Sequence, residues 1–422
     1  MHVLVLGAGV TGVTTAWYLR RAGFGVSVVD RREAAGQETS FANGGQISVS
    51  HPEPWANPSA PLVALRWIGR PGAPLRFRLR ADPAQWAWAL NFLLECLPAR
   101  SRRNTAAIAA LAVHSLAELR RLRDAAGIAD AYDARARGIL HLFFDKLAYE
   151  RAKARVMDLG RHGIELRACD PEGCVAVEPA LAYAHSRLAG GLYAPDDESG
   201  DAMRFCRALS NVLAGDGVRF HYDAAIEQII AANRRIDGVE IVRADGNRET
   251  LQADAYVVCL GSHGRRLLRP LGESLPIFPL KGYSITAPVV DPVRAPQVSL
   301  TDESRRIVCS RLGERLRIAG TAELNDYDLA IDPARIAAML EWAATRLPGA
   351  IDPQRAEPWA GLRPATPGGV PIVGRGRHEN LWLNTGHGPL GWTLSCGSAA
   401  ALATLMKGEK PALAFPFRRT PR

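Results

Sequence analysis

The chain has 422 residues, 47% apolar and 23% charged, with a formal net charge of +9. That length and mix suit two to three domains' worth of buried core and exclude a disordered or fibrous chain. No run of about 20 uninterrupted apolar residues occurs, which excludes a membrane-spanning helix.

The first predicted element is an apolar strand, His2-Val3-Leu4-Val5-Leu6, running straight into Gly7-Ala8-Gly9-Val10-Thr11-Gly12. A helix over Val13 to Arg21 follows, then a second strand, Gly25-Val26-Ser27-Val28-Val29, which ends at Asp30. In such an order Gly7 permits a tight turn, Gly9 lets the backbone approach a pyrophosphate, and Gly12 lets the helix pack close on the strand. The free N–H groups and partial positive charge of the helix start then face phosphates. Asp30 stands 18 positions after Gly12, where its carboxylate can accept hydrogen bonds from an adenosine ribose. The plain alternative is a glycine-rich strand-to-helix turn with a solvated Asp30.

Further along, Ala81 to Gly127 is predicted helical, with Leu111, Leu116 and Leu119 on one apolar face, and Gly138 to Phe144 reads as a strand. Phe205 to Leu213 reads as an amphipathic helix, Val218 to Tyr222 as a strand leading into Ile226 and Ile229, and Ala253 to Ser262 as an apolar strand ending in a small-residue turn at Gly261. Strand-like patterning returns from Ile277 to Ile318, and a helix is predicted from Pro333 to Leu347. Near the carboxyl end, Leu381-Trp382-Leu383-Asn384 precedes Thr385-Gly386-His387-Gly388-Pro389-Leu390-Gly391-Trp392-Thr393 and an alanine-rich helical run. This second Gly-x-Gly-x-x-Gly is not a complete nucleotide cradle, because Pro389 interrupts it and no strand carrying an acid follows. It either points helix-start N–H groups at something electron-rich, such as the N1–C2=O edge of a reduced flavin, or is a plain strand–turn–helix connection.

The predicted fold class is α/β, with an α+β second domain. A Rossmann-like doubly wound nucleotide domain from 1–80, 195–275 and 355–410 interleaves with a mixed-sheet substrate domain from 81–194 and 276–354, and 411–422 form a tail.

These segments resemble the flavoprotein family of D-amino acid oxidases and glycine oxidases, and within it most closely the bacterial D-amino acid dehydrogenase branch. The resemblance rests on the amino-terminal cradle, Thr39-Ser40-Phe41-Ala42-Asn43-Gly44-Gly45-Gln46, Asp82-Pro83-Ala84-Gln85-Trp86, Asp196-Asp197-Glu198-Ser199-Gly200-Asp201, Pro279-Leu280-Lys281-Gly282-Tyr283-Ser284-Ile285-Thr286, Gly361-Leu362-Arg363-Pro364-Ala365-Thr366-Pro367 and Leu383 to Trp392. Pro389 departs from the threonine expected in that branch. The resemblance implies noncovalent FAD, held by Gly7, Ala8, Gly9, Val10, Thr11, Gly12, Asp30 and Arg31. Thr39 and Ser40 would lie near the phosphates, Asn43, Gly44, Gly45 and Gln46 near the ring, and the Ile226 backbone near the adenine. Gly261, Gly386, Gly388, Leu390, Gly391, Trp392 and Thr393 complete the implied contacts, the last four against the pyrimidine edge.

Arg363 is the leading substrate candidate, because its rigid guanidinium fork matches a carboxylate with two parallel hydrogen bonds. In the resembling family this arginine clamps an amino acid carboxylate under the flavin. Tyr283 could donate a hydrogen bond to substrate or pack with its hydroxyl satisfied; His387 could lie over the flavin or serve as a turn residue. The implied reaction is oxidative deamination of a D-amino acid by hydride transfer from Cα to flavin N5, giving a 2-oxo acid and ammonia. The electron acceptor is a quinone or other partner in a dehydrogenase and oxygen in an oxidase of the same fold; a third reading is a non-catalytic FAD-binding subunit.

The seven cysteines show no metal spacing, so reduced thiols and no metal are expected. The first strand begins without a basic leader, which predicts a cytoplasmic location. Much of the positive charge falls between Leu65 and Arg103, where Arg66, Arg70, Arg76, Arg78, Arg80, Arg100, Arg102 and Arg103 alternate with Trp67, Phe77, Trp86, Trp88 and Phe92. That mixture suits peripheral contact with the cytoplasmic face of an inner membrane, or a solvated face over a tryptophan core. No motif accompanies it that would suit nucleic acid.

Overall fold

The computed structural model describes residues 1–67, 75–77, 81–324 and 326–419. His2–Leu6 forms the middle of a parallel sheet whose strand order is Ile372–Arg375, Leu381–Thr385, Ala255–Val258, His2–Leu6, Gly25–Val29, Arg219–His221, with only Ile372–Arg375 antiparallel. The first strand is flanked by the second on one side and by Ala255–Val258 on the other. A crevice therefore opens beyond its carboxyl end, at the point where strand order reverses.

Strand alternation sets the layers. Val3 and Val5 face the helices Val10–Arg21, Ala202–Gly215 and Gly391–Met406, while Leu4 and Leu6 face a three-stranded antiparallel sheet formed by Ala224–Ala232, Arg235–Arg243 and Arg248–Leu251. The Val10–Arg21 helix begins three residues before the expected start, so Gly12 lies within its first turn.

A second, nine-stranded mixed sheet roofs this domain. Its order runs Glu357–Ala365, Phe278–Pro288, Arg315–Leu324, Ile307–Leu312, Ser299–Asp302, Ile139–Phe143, Gly190–Ala194, Arg167–Cys169, with Leu75–Phe77 pairing parallel to the end of Arg315–Leu324. The helix Pro333–Arg346 packs on its outer face through Met339, Trp342 and Ala343.

Two expected boundaries move. Glu357–Ala365, placed by sequence in the nucleotide domain, is an edge strand of the roof, paired along its length with Phe278–Pro288. The predicted helix over 81–127 is two helices, Pro83–Glu95 and Pro98–Ala126, because Pro98 cannot continue the first. The longer one, assigned by sequence to the substrate domain, seals the nucleotide domain. Its Leu111, Leu116 and Leu119 join the core around Val3 and Val5, and Ser115 lies so close to Gly397 that a Cβ there would sit 2.8 Å from the serine Cα.

Candidate active site

The amino-terminal turn is held by three independent constraints. Gly7 adopts φ +104°, a conformation L side chains rarely adopt, and a Cβ on it would meet the Cys259 carbonyl oxygen at 2.9 Å. A Cβ on Gly12 would lie 1.8 Å from the Gly7 oxygen, so only glycine lets the helix approach the turn this closely. Asp30 accepts from the Ala8 N–H at 2.6 Å and from the Arg32 N–H at 2.9 Å, tying the turn to the loop that leaves the second strand, and burial raises its carboxyl pKa. Gly9 differs from its neighbours: a Cβ there would find only Ser40 Oγ, at 3.6 Å, and would otherwise project into the crevice.

The loop 39–46 runs between the two sheets. Ser40 Oγ accepts from the Val10 N–H at the helix start, and Thr39 Oγ1 donates to the Leu362 carbonyl beside Arg363. Asn43 closes a turn onto the Gly45 N–H, while Gly44 packs where a Cβ would sit 2.6 Å from Val308 Cγ2. Gln46 reaches Ser299 and Thr301 of the roof at 3.0 Å each. Each of these bonds crosses from one domain to the other or shapes the crossing.

The carboxyl-terminal turn enters the same crevice from its far side. Gly386 and Gly388 both have positive φ, and Gly391 opens the helix to Met406. Trp392 turns its indole into the core against Tyr132 and Phe205, and Thr393 Oγ1 accepts from the Ser48 N–H, so toward the crevice these residues can offer backbone N–H groups. His387 is buried with Nε2 2.9 Å from Ser398 Oγ, and burial lowers its pKa to about 3, keeping the imidazole neutral.

Both helix starts line one cavity of about 930 Å³, together with Asp30, Arg31, loop 39–46, Ile226, Gly261 and Arg363. Arg31 sits at one end, its guanidinium shared between Glu38 and His263. A cleft bordered by two anion-favouring helix starts, packed side by side through Thr14 and the Ser395 carbonyl, with an open position at Gly9 that a side chain would fill, fits a dinucleotide laid across the strand ends.

Arg363 lies on the crevice face of the roof, directly across from Leu280, with its guanidinium folded over Gly282; a Cβ on Gly282 would sit 2.6 Å from the arginine Cζ. Among the described residues the guanidinium has no hydrogen bond or ion pair, and burial lowers its pKa to about 10, which leaves it charged at neutral pH. Solvent reaches it through the cavity. A half-buried cation without a partner among the described residues, facing a cleft, could receive an anion there, because its desolvation is then offset.

Tyr283 is not brought to Arg363. Along Phe278–Pro288 alternate side chains point to opposite faces, and Tyr283 falls with Ile285 on the outer one, in the core beneath Met339. Burial pushes its hydroxyl well above the ordinary range. It is a core residue, which corrects the sequence-based expectation.

A buried cluster behind the cavity, reaching its lining only at Glu303, was not legible in the sequence. Asp197 accepts from Ser50 Oγ and from the Val49 and Ser50 N–H groups, Ser50 meets His141 Nε2 at 2.9 Å, and His141 Nδ1 meets Glu303 at 3.1 Å. Its neighbours in the acidic motif are also structural: Glu198 pairs with Arg120 and Arg123, and Asp201 caps the Ala202–Gly215 helix. The motif 196–201 was visible as a run of acids, but its partners at 48–50, 120–123 and 141 were not.

The stretch from Leu65 to Arg103 divides between two environments. Trp88 and Phe92 line the cavity, whereas Trp86, Leu90, Leu93 and Leu97 form an exposed stripe on the other side of the helix Pro83–Glu95 and its exit. Arg70, Arg78, Arg80 and the side chains of Trp67 and Phe77 lie outside the described residues.

The family described as DAO, FAD dependent oxidoreductase, matches residues 2–405. The chain is 50% identical over 419 residues to a D-amino acid dehydrogenase of Dechloromonas aromatica, covering 99% of this chain and 100% of that one. It is 42% identical over 412 residues to a D-amino acid dehydrogenase of Vibrio cholerae, covering 97% and 96%. Among solved structures it is similar to glycine oxidase from Geobacillus kaustophilus, with TM-score 0.73, 20% identity and coverage of 97% and 95%. It is likewise similar to L-proline dehydrogenase from P. horikoshii, with TM-score 0.73, 16% identity and coverage of 98% and 95%.

Proposed function

Because this chain belongs to the FAD dependent oxidoreductase (DAO) family, we propose that it is an FAD-dependent D-amino acid dehydrogenase, converting D-amino acids to 2-oxo acids and ammonia. The observation that carries this reading is the half-buried guanidinium of Arg363, which faces the cofactor cleft with no partner among the described residues. FAD, when bound, supplies the two-electron acceptor. Gly9 to Gly12 and Asp30 would hold its adenosine pyrophosphate half, and loop 39–46 with the helix start at Gly391 would hold its ring half.

The chain's own residues then do the positioning. Arg363 takes the substrate carboxylate through two parallel charge-assisted hydrogen bonds, which pairs its buried charge and fixes the orientation of Cα. Gly282 leaves the space in which that fork lies. His387, neutral and held by Ser398, contributes shape rather than charge. No side-chain base is needed at carbon, provided the substrate amine has lost its proton, so the rate rises with pH through the amine's own titration.

For the acceptor we propose a quinone reached at a membrane surface. Trp86, Leu90, Leu93 and Leu97 lie at helical spacing on one exposed face, beside exposed Arg100, Arg102 and Arg103, a combination that suits anionic headgroups over an apolar layer. No helix among the described residues is long and apolar enough to cross a membrane, so any such contact is peripheral.

Anaerobic addition of D-amino acids to the yellow protein should bleach it while L-enantiomers do not. Reoxidation should be fast with a soluble quinone analogue and slow with air. Fast reoxidation by air instead would make it an oxidase; failure of every D-amino acid to bleach it would remove the proposed reaction.

A further inference from the structure

Going beyond the proposed reaction, we infer that the outer face of the roof carries a second ligand site, a pocket of three arginines that binds a phosphate dianion, free or as the monoester of a small molecule. The pocket encloses about 480 Å³ and shares no lining residue with the cofactor cavity. Small-molecule clefts run from about 300 to 1,000 Å³, so there is room for more than a bare oxyanion. Four separate elements meet there. Phe144 follows the strand Ile139–Phe143, Arg187 ends the helical segment Pro179–Arg187, Arg305 lies in the turn between Ser299–Asp302 and Ile307–Leu312, and Arg346 ends the helix Pro333–Arg346.

One arginine is fixed and the other two carry uncommitted charge. The Arg346 guanidinium lies over Phe144, 3.5 Å from the ring centroid, with Nε 3.8 Å from Asp302 Oδ2. Asp302 is itself pinned: Oδ2 accepts from the Trp342 indole N–H at 3.0 Å, and Oδ1 accepts from the Ser304 hydroxyl and from the Ser304 and Arg305 N–H groups. At 3.8 Å Arg346 makes no hydrogen bond to it, which leaves the donor fork for a ligand. Arg187 and Arg305 are exposed, and among the described residues their side chains have neither a hydrogen bond nor an ion pair. Burial lowers the Arg346 pKa; Asp302 opposes that shift, and Arg305 and Arg187 add to it, so the three charges stand close enough to repel one another.

Gathered like charges carry a repulsion that a shared anion relieves. A tetrahedral dianion accepts charge-assisted hydrogen bonds from several guanidinium forks at once, whereas one fork already satisfies a planar carboxylate. Asp302, Glu341 and the partly negative carboxyl end of the helix Pro333–Arg346 offset some of the positive charge. Asp302, however, is fully buried with both oxygens accepting, and among the described residues Glu341 forms no ion pair with any of the three arginines. Trp342 and Phe144 supply an apolar wall for the organic part of an ester.

Calorimetric titration of the FAD-loaded protein with inorganic phosphate, at constant ionic strength held with chloride, should show one saturable site per chain, and acetate should bind at least about tenfold more weakly. Glucose 6-phosphate separates the two sources: binding at least as tight as that of phosphate supports a monoester, and binding of phosphate alone supports the free ion. The exposed pair Arg187→Gln with Arg305→Gln should melt like the parent and bind phosphate at least about tenfold more weakly, the scale of losing charged hydrogen-bond partners. Arg363→Ala, in the other cavity, should bind it as the parent does. Absence of saturable binding, acetate binding as tightly as phosphate, or unchanged binding in the double variant overturns the inference, and so does loss of binding in Arg363→Ala, which would put the anion in the cofactor cavity. None of these readouts needs turnover, so the pocket and the proposed reaction stand or fall separately.

Discussion

In the amino-terminal turn a Cβ on Gly12 would lie 1.8 Å from a backbone carbonyl oxygen, whereas in the carboxyl-terminal turn a Cβ on Gly391, third glycine of the same spelling, would meet nothing nearer than His387 Cβ at 3.7 Å. The first turn is over-determined: a positive-φ glycine, a close helix approach and an aspartate bracing two N–H groups all converge on one geometry. The second keeps its positive-φ glycines at 386 and 388 but gains its position from tertiary ties, His387 to Ser398 and Thr393 to Ser48. Identical lettering thus marks a turn fixed by glycine-only close approaches in one place and a turn seated by side-chain ties in the other.

Substitutions separate the two turns. The largest effect is expected for Gly12→Val, which forces the helix off the turn and should cost about 4 kcal/mol or more, yielding little folded protein in a thermal or urea melt. A variant melting like the parent would show that the close approach is not needed. Gly9→Val acts on the ligand instead, because a side chain there points into the crevice. The variant should purify folded, within a few degrees of the parent melting temperature, yet colourless; retained yellow absorbance would break the cradle assignment.

Between the turns, Arg363→Ala should keep the flavin and lose about 2–5 kcal/mol in kcat/KM, since a carboxylate brought into the cleft would go unpaired. Removing a half-buried charge that has no partner among the described residues should leave folding stability equal or raised, and an unchanged kcat/KM would take Arg363 out of the site. His387 probes the second turn by pH. Its folded pKa of about 3 lies below the unfolded value of about 6.5, so the unfolded chain gains the proton first and stability falls as pH drops from 6.5 toward 3. His387→Gln should therefore melt higher relative to the parent at pH 5 than at pH 8, by about 2 kcal/mol; a pH-independent difference would show that the imidazole is not held neutral. The smallest effect is expected for Gly391→Ala, within about 1 kcal/mol of the parent in a denaturant melt, because its Cβ meets only an ordinary contact. A loss as large as that of Gly12→Val would erase the contrast between the turns.

The cradle was legible because its information is local: six residues, a strand before, a helix after and an acid at the next strand end. Arg363 was singled out from a guanidinium set between Gly361-Leu362 and Pro364 together with the family resemblance, and the structure brings it to the cavity lining. Tyr283 was misjudged beside it because a strand shows its alternation in sequence but not which face meets the cleft. The edge strand Glu357–Ala365 was given to the wrong domain for a related reason, since nothing in its residues says which sheet it completes. The acids at 197, 198 and 201 were visible as a cluster, but their roles depend on partners as distant as Ser50 and Arg120.

The order of residues by itself determined the nucleotide turn and much of the helix and strand succession, because each rests on contacts within a few dozen residues and on backbone geometry particular to glycine and proline. Only the tertiary structure decided that the two glycine turns open onto one cavity, that Arg363 has no partner there among the described residues, and that Leu280 and Leu324 stand in its row. Those facts are set by strand register and by pairings between segments hundreds of residues apart, where shifting a strand by one residue reverses every side chain.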